Sequence, residues 1–194
     1  MSGTRDQSST VRMLMRLGCA LLGCLLFVPL LPAQPLSEYD VEAAYLYDFG
    51  KFVRWPADAP KPPTFDICIL GRGPFDGTLD RIIANNRIGG RPIQKRILSS
   101  PAQADGCAIL YIADSEANNL RGILDALGDR QSLLVSGMPH FAQSGGTIQF
   151  VVEGDRVRFM VNLDAAAKCH LTLSSELLKV ALSVTGRLRN GVTQ

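Results

Sequence analysis

Residues 65–70 read Phe-Asp-Ile-Cys-Ile-Leu, and residues 71–74, Gly-Arg-Gly-Pro, end this run at once. A short and nearly continuous apolar run is typical of a strand that is buried on both faces, as the strands of a parallel sheet are. Residues 107–112, Cys-Ala-Ile-Leu-Tyr-Ile, form a second run of the same kind. The sequence therefore predicts two buried strands.

Helical and strand-like segments alternate around these two runs. They are a helix over residues 75–84, a strand over 93–98, a helix over 116–127 and a strand over 132–135. Such alternation is typical of a sheet that is covered by helices on both faces. The predicted fold class is therefore α/β, a single compact domain with a mixed, mostly parallel sheet flanked by helices.

The segment before the first strand shows the spacing of an amphipathic helix from Val41 to Trp55. Apolar residues recur there every three or four positions, at Val41, Ala44, Tyr45, Phe49, Phe52 and Trp55. Asp40 is the predicted N-cap, and Pro56 ends the helix. Most of these aromatic side chains are expected in the core, whereas Tyr47 lies off the apolar stripe and is expected at the surface.

The end of the chain predicts a C-terminal β-hairpin and a closing helix. Residues 147–152 and 156–161 alternate apolar and polar side chains on either side of a Gly154-Asp155 turn. The predicted core face consists of Ile148, Phe150, Val152, Val157, Phe159 and Val161. A final helix is predicted over residues 174–184, with Ser174 as its N-cap.

The other face of this hairpin is the candidate interaction site. Glu153 and Arg156 are predicted cross-strand neighbours, and Arg158 is predicted to lie opposite Val151. One interpretation is a solvated sheet face with a surface ion pair. The other is a recognition surface for a partner protein, formed by Glu153, Arg156 and Arg158, with Tyr47 as a separate candidate contact.

The first 33 residues show the three parts of a secretory signal peptide. Arg5, Arg12 and Arg16 precede or open an apolar stretch over residues 17–31, which is shorter than the ~20 residues that span a bilayer as a helix. Cleavage is expected next to Ala33, so that residues 34–194 form the mature domain in the periplasm.

Two alternatives to cleavage near Ala33 stay open. In the first alternative, the apolar stretch is not cleaved and serves as a membrane anchor. In the second, Cys24 is lipidated, because Leu21-Leu22-Gly23-Cys24 resembles a lipobox. Lipidation would leave a strongly apolar stretch after the lipidated cysteine, where a polar tether is usual.

The mature domain is formally neutral. Three of the 20 basic residues and one of the 18 acidic residues fall in the signal peptide, which leaves 17 of each. A neutral balance gives no support for nucleic-acid binding, which depends on clustered positive charge.

The chemistry-bearing residues give little support for catalysis. Residues 71–77 resemble a phosphate-binding loop, but Asp76 stands in place of the third glycine and would repel a pyrophosphate. The chain has two histidines, His140 and His170, and a pairing of His140 with Cys169 as base and nucleophile lacks a third orienting group. We therefore expect no catalytic residue, no cofactor and no metal.

Three cysteines remain after cleavage, namely Cys68, Cys107 and Cys169. An oxidising compartment favours one disulfide bond and one free thiol. Cys68 and Cys107 each lie in a predicted strand, and two neighbouring strands would bring them into bonding range. No two of the three have CxxC spacing, which argues against a thioredoxin-type or zinc site.

Five segments, in order along the chain, resemble the YfiR-like family of small periplasmic proteins. They are Tyr45-Leu46-Tyr47-Asp48-Phe49-Gly50-Lys51-Phe52-Val53-Arg54-Trp55-Pro56; Ile67-Cys68-Ile69-Leu70-Gly71 with Pro74-Phe75; Leu133-Leu134-Val135-Ser136 with Phe141; Gly145-Gly146; and Arg158-Phe159-Met160-Val161-Asn162-Leu163. Together they span nearly the whole mature chain.

The resemblance implies a compact α/β domain that tends to form a homodimer, with a disulfide bond between Cys68 and Cys107 and a free Cys169. It also implies a repressor that binds the periplasmic sensor domain of an inner-membrane diguanylate cyclase, and so lowers cyclic-di-GMP signalling and biofilm formation. The expected function is therefore that of a regulatory binding protein and not of an enzyme. The alternative is a periplasmic small-molecule-binding sensor module without a cyclase partner.

Overall fold

The computed structural model describes residues 37–57, 59, 61–75 and 77–187. The predicted signal peptide, its cleavage point and Cys24 lie outside the described residues, and so does Asp76. Within the described ranges, no helix is both long enough and apolar enough to cross a membrane.

Eight strands form one sheet, and two further strands form a small antiparallel pair. In chain order they are β1 (Val53–Arg54), β2 (Phe65–Leu70), β3 (Arg87–Ile88), β4 (Arg91–Leu98), β5 (Cys107–Ile112), β6 (Leu133–Ser136), β7 (Ile148–Glu153), β8 (Arg156–Asn162), β9 (Thr172–Leu173) and β10 (Ser183–Thr185). β1 pairs with β9, and the sheet has the order β10-β8-β7-β6-β5-β2-β4-β3. Its neighbours run parallel except in the β7–β8 and β3–β4 hairpins. The predicted mixed, mostly parallel sheet is confirmed.

Helices lie on both faces of this sheet. They are α1 (Glu38–Phe52), α2 (Thr78–Ile83), α3 (Leu120–Leu127), α4 (Leu163–Lys168) and α5 (Ser175–Val180). A larger core joins α1, α2, α4 and α5 to strand residues such as Ile67 and Ile109. A smaller core joins α3 and Phe141 to Cys68 and Leu110. Alternate residues of one strand therefore serve two cores, which explains the continuous apolar runs in the sequence.

Helix α1 begins and ends three residues before the predicted bounds. Its N-cap is Ser37, whose hydroxyl accepts a hydrogen bond from the Asp40 N–H while the Asp40 carboxylate accepts one from the Ser37 N–H. Asp40 is thus the third residue of the helix, the N3 position of a capping box, and not the cap itself. At the other end, Val53 leaves the helix because it pairs with Leu173 in the β1–β9 ladder.

The buried face of α1 also differs from the predicted stripe. The residues that are buried are Glu42, Ala43, Leu46, Phe49 and Gly50. Ala44 and Phe52, both predicted to face the core, are exposed. The helix is rotated relative to the prediction because the spacing of its apolar residues fits more than one face, and packing against the sheet selects one of them.

The chain after α4 contains a strand that the sequence pattern did not indicate. Ser174 caps α5 as predicted, but the helix ends at Val180. The Leu182 N–H donates to the Phe159 carbonyl at 2.7 Å, and residues 183–185 continue as β10 beside β8. Pairing with the sheet edge replaces the last turns of the predicted helix, because the edge offers backbone partners that a local periodicity cannot reveal.

A disulfide bond joins Cys68 in β2 to Cys107 at the start of β5. β2 and β5 are parallel neighbours, and both cysteines lie in the smaller core. This is the pairing that the family resemblance implies. Cys169 is a free, buried cysteine at the end of α4.

Candidate functional site

The β7–β8 hairpin extends past the end of its neighbour in the sheet. β6 pairs with β7 only at Val135 with Ile148 and at Ser136 with Gln149. β7 and β8 then pair with each other as far as Glu153 and Arg156. Residues 150–159 therefore form a two-stranded ribbon, called the ribbon below, that projects beyond β6 at the carboxyl end of the parallel strands.

The inner face of the ribbon packs on α1 through aromatic rings. The Phe159 ring lies 5.2 Å from the Phe49 ring and 5.4 Å from the Tyr45 ring, and both pairs meet edge to face. Phe150 lies 5.8 Å from Phe49 in a stacked arrangement. Aromatic pairs of this geometry add to the free energy gained by burial alone. The inner face therefore anchors the ribbon to the larger core.

The outer face of the ribbon belongs to neither core. Val151 lies opposite Arg158, and Glu153 lies opposite Arg156, in the predicted register. The Glu153 carboxylate and the Arg158 guanidinium form a loose ion pair at 3.8 Å, and their side chains are 61% and 37% exposed. Surface pairs of this kind contribute little to stability. The outer face thus combines charged groups with the half-buried Val151, and the half-buried Met160 continues this face along β8 just outside the ribbon.

One interpretation of the sequence was a solvated outer face. Two residues on that face of the hairpin, Gln149 and Asn162, are instead covered by another part of the chain. Gln149 is buried, and its side-chain oxygen accepts a hydrogen bond from the Ala142 N–H at 3.2 Å. The Asn162 side chain donates to the Ala142 carbonyl at 2.7 Å and also caps α4 by accepting a hydrogen bond from the Ala165 N–H. The loop around Ala142 covers this part of the face, which confines the free surface to the ribbon.

One residue of the predicted core face lies outside the core. Val152 pairs with Val157 near the tip of the ribbon, and it is 48% exposed whereas Val157 is buried. The ribbon extends beyond the helices at this point, so the alternation of side chains continues where the core has ended. Val152 adds an apolar side chain to the exposed tip.

The contacts of Tyr47 lie toward the other edge of the sheet. Its hydroxyl donates to the Asn86 side chain at 3.1 Å, just before β3, and the Lys51 ammonium lies over its ring at 4.4 Å. Tyr47 is half-buried. β3 and the ribbon lie at opposite ends of the strand order, so the structure does not bring Tyr47 together with Glu153, Arg156 and Arg158.

A buried carboxyl group at the carboxyl end of the sheet was missed by the sequence reading. Glu42 of α1 is 1% exposed, and its carboxylate accepts a hydrogen bond from the Tyr111 hydroxyl at 3.2 Å. Burial raises the pKa of Glu42 to about 7, the Tyr111 hydrogen bond opposes this, and the charges of Glu38 and Asp114 add to it. Burial also raises the pKa of Tyr111. No sequence signal separates Glu42 from the other acidic residues of the chain.

The remaining candidate residues have structural roles. Burial raises the pKa of the Cys169 thiol, which keeps it protonated and a weak nucleophile. His170, the next residue, has a φ of 58°, and its N–H and that of Leu171 bond the Ala167 and Ala166 carbonyls, which closes α4. In the described part of the chain, no group of three or more His, Cys, Asp and Glu side chains is arranged to hold a metal ion.

The loop after β2 is folded against its neighbour. The Arg72 N–H donates to the Ser115 hydroxyl at 3.0 Å. Gly71 has a φ of 87°, and a Cβ at this position would lie 2.5 Å from that hydroxyl oxygen. Gly71 is therefore needed for the close packing of these two loops, which is a structural reason for a glycine at this position.

The chain belongs to the YfiR/HmsC-like family, which it matches over residues 39–182, more than half of its length. Membership of this family implies, in general terms, a periplasmic regulator of diguanylate cyclase signalling. The match spans α1, the sheet from β2 to β8 and α5. The resemblance seen in the sequence is confirmed.

Two solved structures are similar to this chain at low sequence identity. A conserved domain protein from Vibrio cholerae O1 biovar eltor has a TM-score of 0.52 and 11% identity, with 77% of this chain and 60% of that chain covered. An ABC domain from Streptococcus pneumonia in complex with L-Trp has a TM-score of 0.48 and 10% identity, with 62% and 55% covered. This chain therefore spans less than two thirds of either protein. The Vibrio likeness supports the fold alone, and the second one carries no argument.

Proposed function

We propose that this protein is exported by its N-terminal signal peptide, binds the periplasmic sensor domain of an inner-membrane diguanylate cyclase and holds that enzyme inactive. Repression lowers cyclic-di-GMP and biofilm formation until a signal releases it. Membership of the YfiR/HmsC-like family supports the general role in cyclase signalling. The outer face of the ribbon is the proposed docking surface, with Arg158 at its centre.

The observation that carries this proposal is the contrast between the two faces of the ribbon. The inner face is fixed by Phe150 and Phe159, so the outer face is presented on a rigid support. The apolar groups of Val151 and Met160 lie beside the charges of Glu153 and Arg158. Interfaces commonly combine an apolar centre with a polar rim, and arginine is enriched in them.

The partner and the oligomeric state are part of the same proposal. A homodimer would present two ribbons, and the periplasmic part of a membrane cyclase would bind one or both. Tyr47 lies near the opposite sheet edge and would serve as a contact only if the partner spans the α1 side of the domain.

Cyclic-di-GMP measured in the source bacterium tests repression directly. Deletion of the gene is expected to raise the cyclic-di-GMP level, and wild-type protein supplied in trans is expected to restore it. Arg158→Glu is expected to fail in complementation. Arg81→Glu is the matched control, because Arg81 is exposed on α2, and α2 lies beside β4 through the Asp80–Lys95 ion pair, toward the other end of the strand order from the ribbon. An unchanged cyclic-di-GMP level after deletion would contradict repression of a cyclase.

Capture of the partner tests the docking step separately. Tagged wild-type protein from the envelope is expected to retain a membrane protein with a cyclase domain, and Arg158→Glu is expected to lose it. If both proteins retain the cyclase equally, the repressor role stands but the docking surface lies elsewhere, and Tyr47 becomes the next position to vary.

A further inference from the structure

A cleft of about 1200 Å³ lies where the parallel strands begin. Phe65, Cys107 and Ser132, at or next to the starts of β2, β5 and β6, line this amino-edge cleft. Its other walls come from the β1 segment, the β3–β4 hairpin and residues 129–131. The ribbon projects from the opposite end of the strands, so the cleft is separate from the proposed docking surface.

The lining of this cleft is unusually rich in positive charge. Among the residues that the structure describes, its basic side chains are Lys51, Arg54, Lys61, Arg87, Arg91 and Arg130, and its acidic side chains are Asp105 and Asp129. Asp105 neutralises Arg130 at 3.0 Å, and Asp48 neutralises Lys51 at 2.5 Å. Among the described residues, the other four basic groups have no carboxylate at ion-pair distance. A concave surface of one sign attracts small ions of the other sign.

Two of these four groups are held in place before any ligand binds. The Arg91 guanidinium lies over the Phe65 ring at 5.2 Å from its centroid, and the Arg87 guanidinium donates to the Gly90 carbonyl at 3.0 Å. In the β3–β4 ladder Arg91 lies opposite Ile88 and Arg87 lies opposite Pro92, so the two side chains leave opposite faces of the hairpin and Arg91 is the one that faces Phe65. A fixed guanidinium loses little side-chain entropy when it binds, and its planar fork suits the oxygens of phosphates and carboxylates.

Trp55 supplies an independent indication of a ligand. It lines the cleft and meets Phe65 edge to face at 5.3 Å. Its indole N–H is buried and has no hydrogen-bond acceptor among the described residues. Buried donors are almost always paired in native proteins, so an oxygen atom brought by a ligand would satisfy this group.

We propose that the amino-edge cleft binds a small organic anion that carries several phosphate or carboxylate oxygens. Arg91 binds the oxygens, and Arg54, Lys61 and Arg87 add positive charge around them. The apolar rings of Trp55 and Phe65 pack beside the rest of the molecule. Sites for small ligands typically combine apolar walls with a few polar groups in this way. The proposal does not depend on a cyclase partner.

Titration of the exported protein with two probe anions tests this proposal. Citrate supplies carboxylates and ribose 5-phosphate supplies a phosphate, so their relative affinities separate the two chemistries. Trp55 is the only tryptophan of the chain, so its fluorescence reports on the cleft, and calorimetry gives the affinity independently. Saturable binding of at least one anion is expected, and it is expected to weaken as sodium chloride is raised because salt screens exposed charges.

Variants decide whether the cleft is the site. Arg87→Gln combined with Arg91→Gln is expected to weaken binding at least tenfold, and Arg121→Gln on α3 is expected to leave it unchanged. Arg91→Lys keeps a positive charge beside Phe65 and serves if the double variant does not fold, with a several-fold loss expected because lysine lacks the planar fork of arginine. Absence of saturable binding of both anions to the wild-type protein, or equal affinity in the wild type and Arg91→Lys, would overturn the proposal.

Discussion

The strands at the centre of the sheet are buried on both faces, whereas the strands of the ribbon are buried on one face only. Every residue of β2 is buried, because side chains on its two faces enter the two cores. Along β8, by contrast, buried Val157 and Phe159 alternate with half-buried Arg158 and Met160. A strand with one free face can bind a partner without losing its own core. The comparison therefore supports the proposal that a partner binds the outer face of the ribbon and not the centre of the sheet.

Truncation of the inner face of the ribbon is expected to have the largest effect. Phe159→Ala removes a ring that is 1% exposed and contacts Phe49 and Tyr45. Loss of a buried phenylalanine costs about 3–5 kcal/mol of unfolding free energy. Val151→Ala on the outer face is the control, and it is expected to cost about 1 kcal/mol or less. Urea unfolding checks both values, and similar losses in the two variants would contradict the distinction between the faces.

The disulfide bond is expected to have the next largest effect. It closes a loop with a sequence separation of 39 residues, and in the chain-entropy model such a bond contributes roughly 3–4 kcal/mol. A reducing agent should therefore lower the melting temperature of the wild-type protein and of Cys169→Ala, but not of the Cys68→Ala, Cys107→Ala double variant. Peptide mapping without reduction that finds Cys169 bonded to either cysteine would contradict the pairing.

The buried carboxyl of Glu42 is expected to make stability depend on pH. Its pKa is raised from 4.5 to about 7 in the folded protein, so the folded state holds the proton more tightly than the unfolded chain does. The free energy of unfolding should therefore fall as the pH rises from about 4.5 to 7, by up to about 3 kcal/mol in total.

Replacement of Glu42 by glutamine isolates this effect. Glu42→Gln cannot ionise and still offers an oxygen to the Tyr111 hydroxyl, so it should be more stable than the wild type at pH 8 and similar to it at pH 4.5. Urea unfolding at both pH values checks the difference. A variant that is less stable than the wild type at pH 8 would show that the carboxylate is stabilised by contacts other than Tyr111.

The parts of the fold that depend on pattern within one strand were predictable from the sequence. The bounds of β2 and β5 and the register of the ribbon follow from apolar runs and alternation. The burial of Glu42 and Gln149 and the existence of β10 were not predictable, because each depends on an element distant in the sequence: the sheet under α1, the loop at Ala142 and the edge of β8. The candidate residues Glu153, Arg156 and Arg158 were placed correctly on one face, whereas their role stays a prediction.

The smallest expected effect on stability coincides with the largest expected effect on binding. Arg158→Glu lies outside both cores and breaks only the 3.8 Å pair with Glu153, so its unfolding free energy should stay within about 0.5 kcal/mol of the wild-type value. The unfolding free energy of Glu153→Arg is also expected to stay within about 0.5 kcal/mol of the wild-type value. Melting curves of both variants, with Arg81→Glu as the control, check this expectation before any binding is measured.

The affinity of Arg158→Glu for the periplasmic part of a co-encoded cyclase tests the central claim most directly. Reversal of an interfacial charge costs several kcal/mol, and even 2 kcal/mol corresponds to a loss of about thirtyfold in affinity. The account predicts at least this loss for Arg158→Glu with an unchanged melting curve. Wild-type affinity in Arg158→Glu would contradict it and would show that the partner does not dock on the outer face of the ribbon.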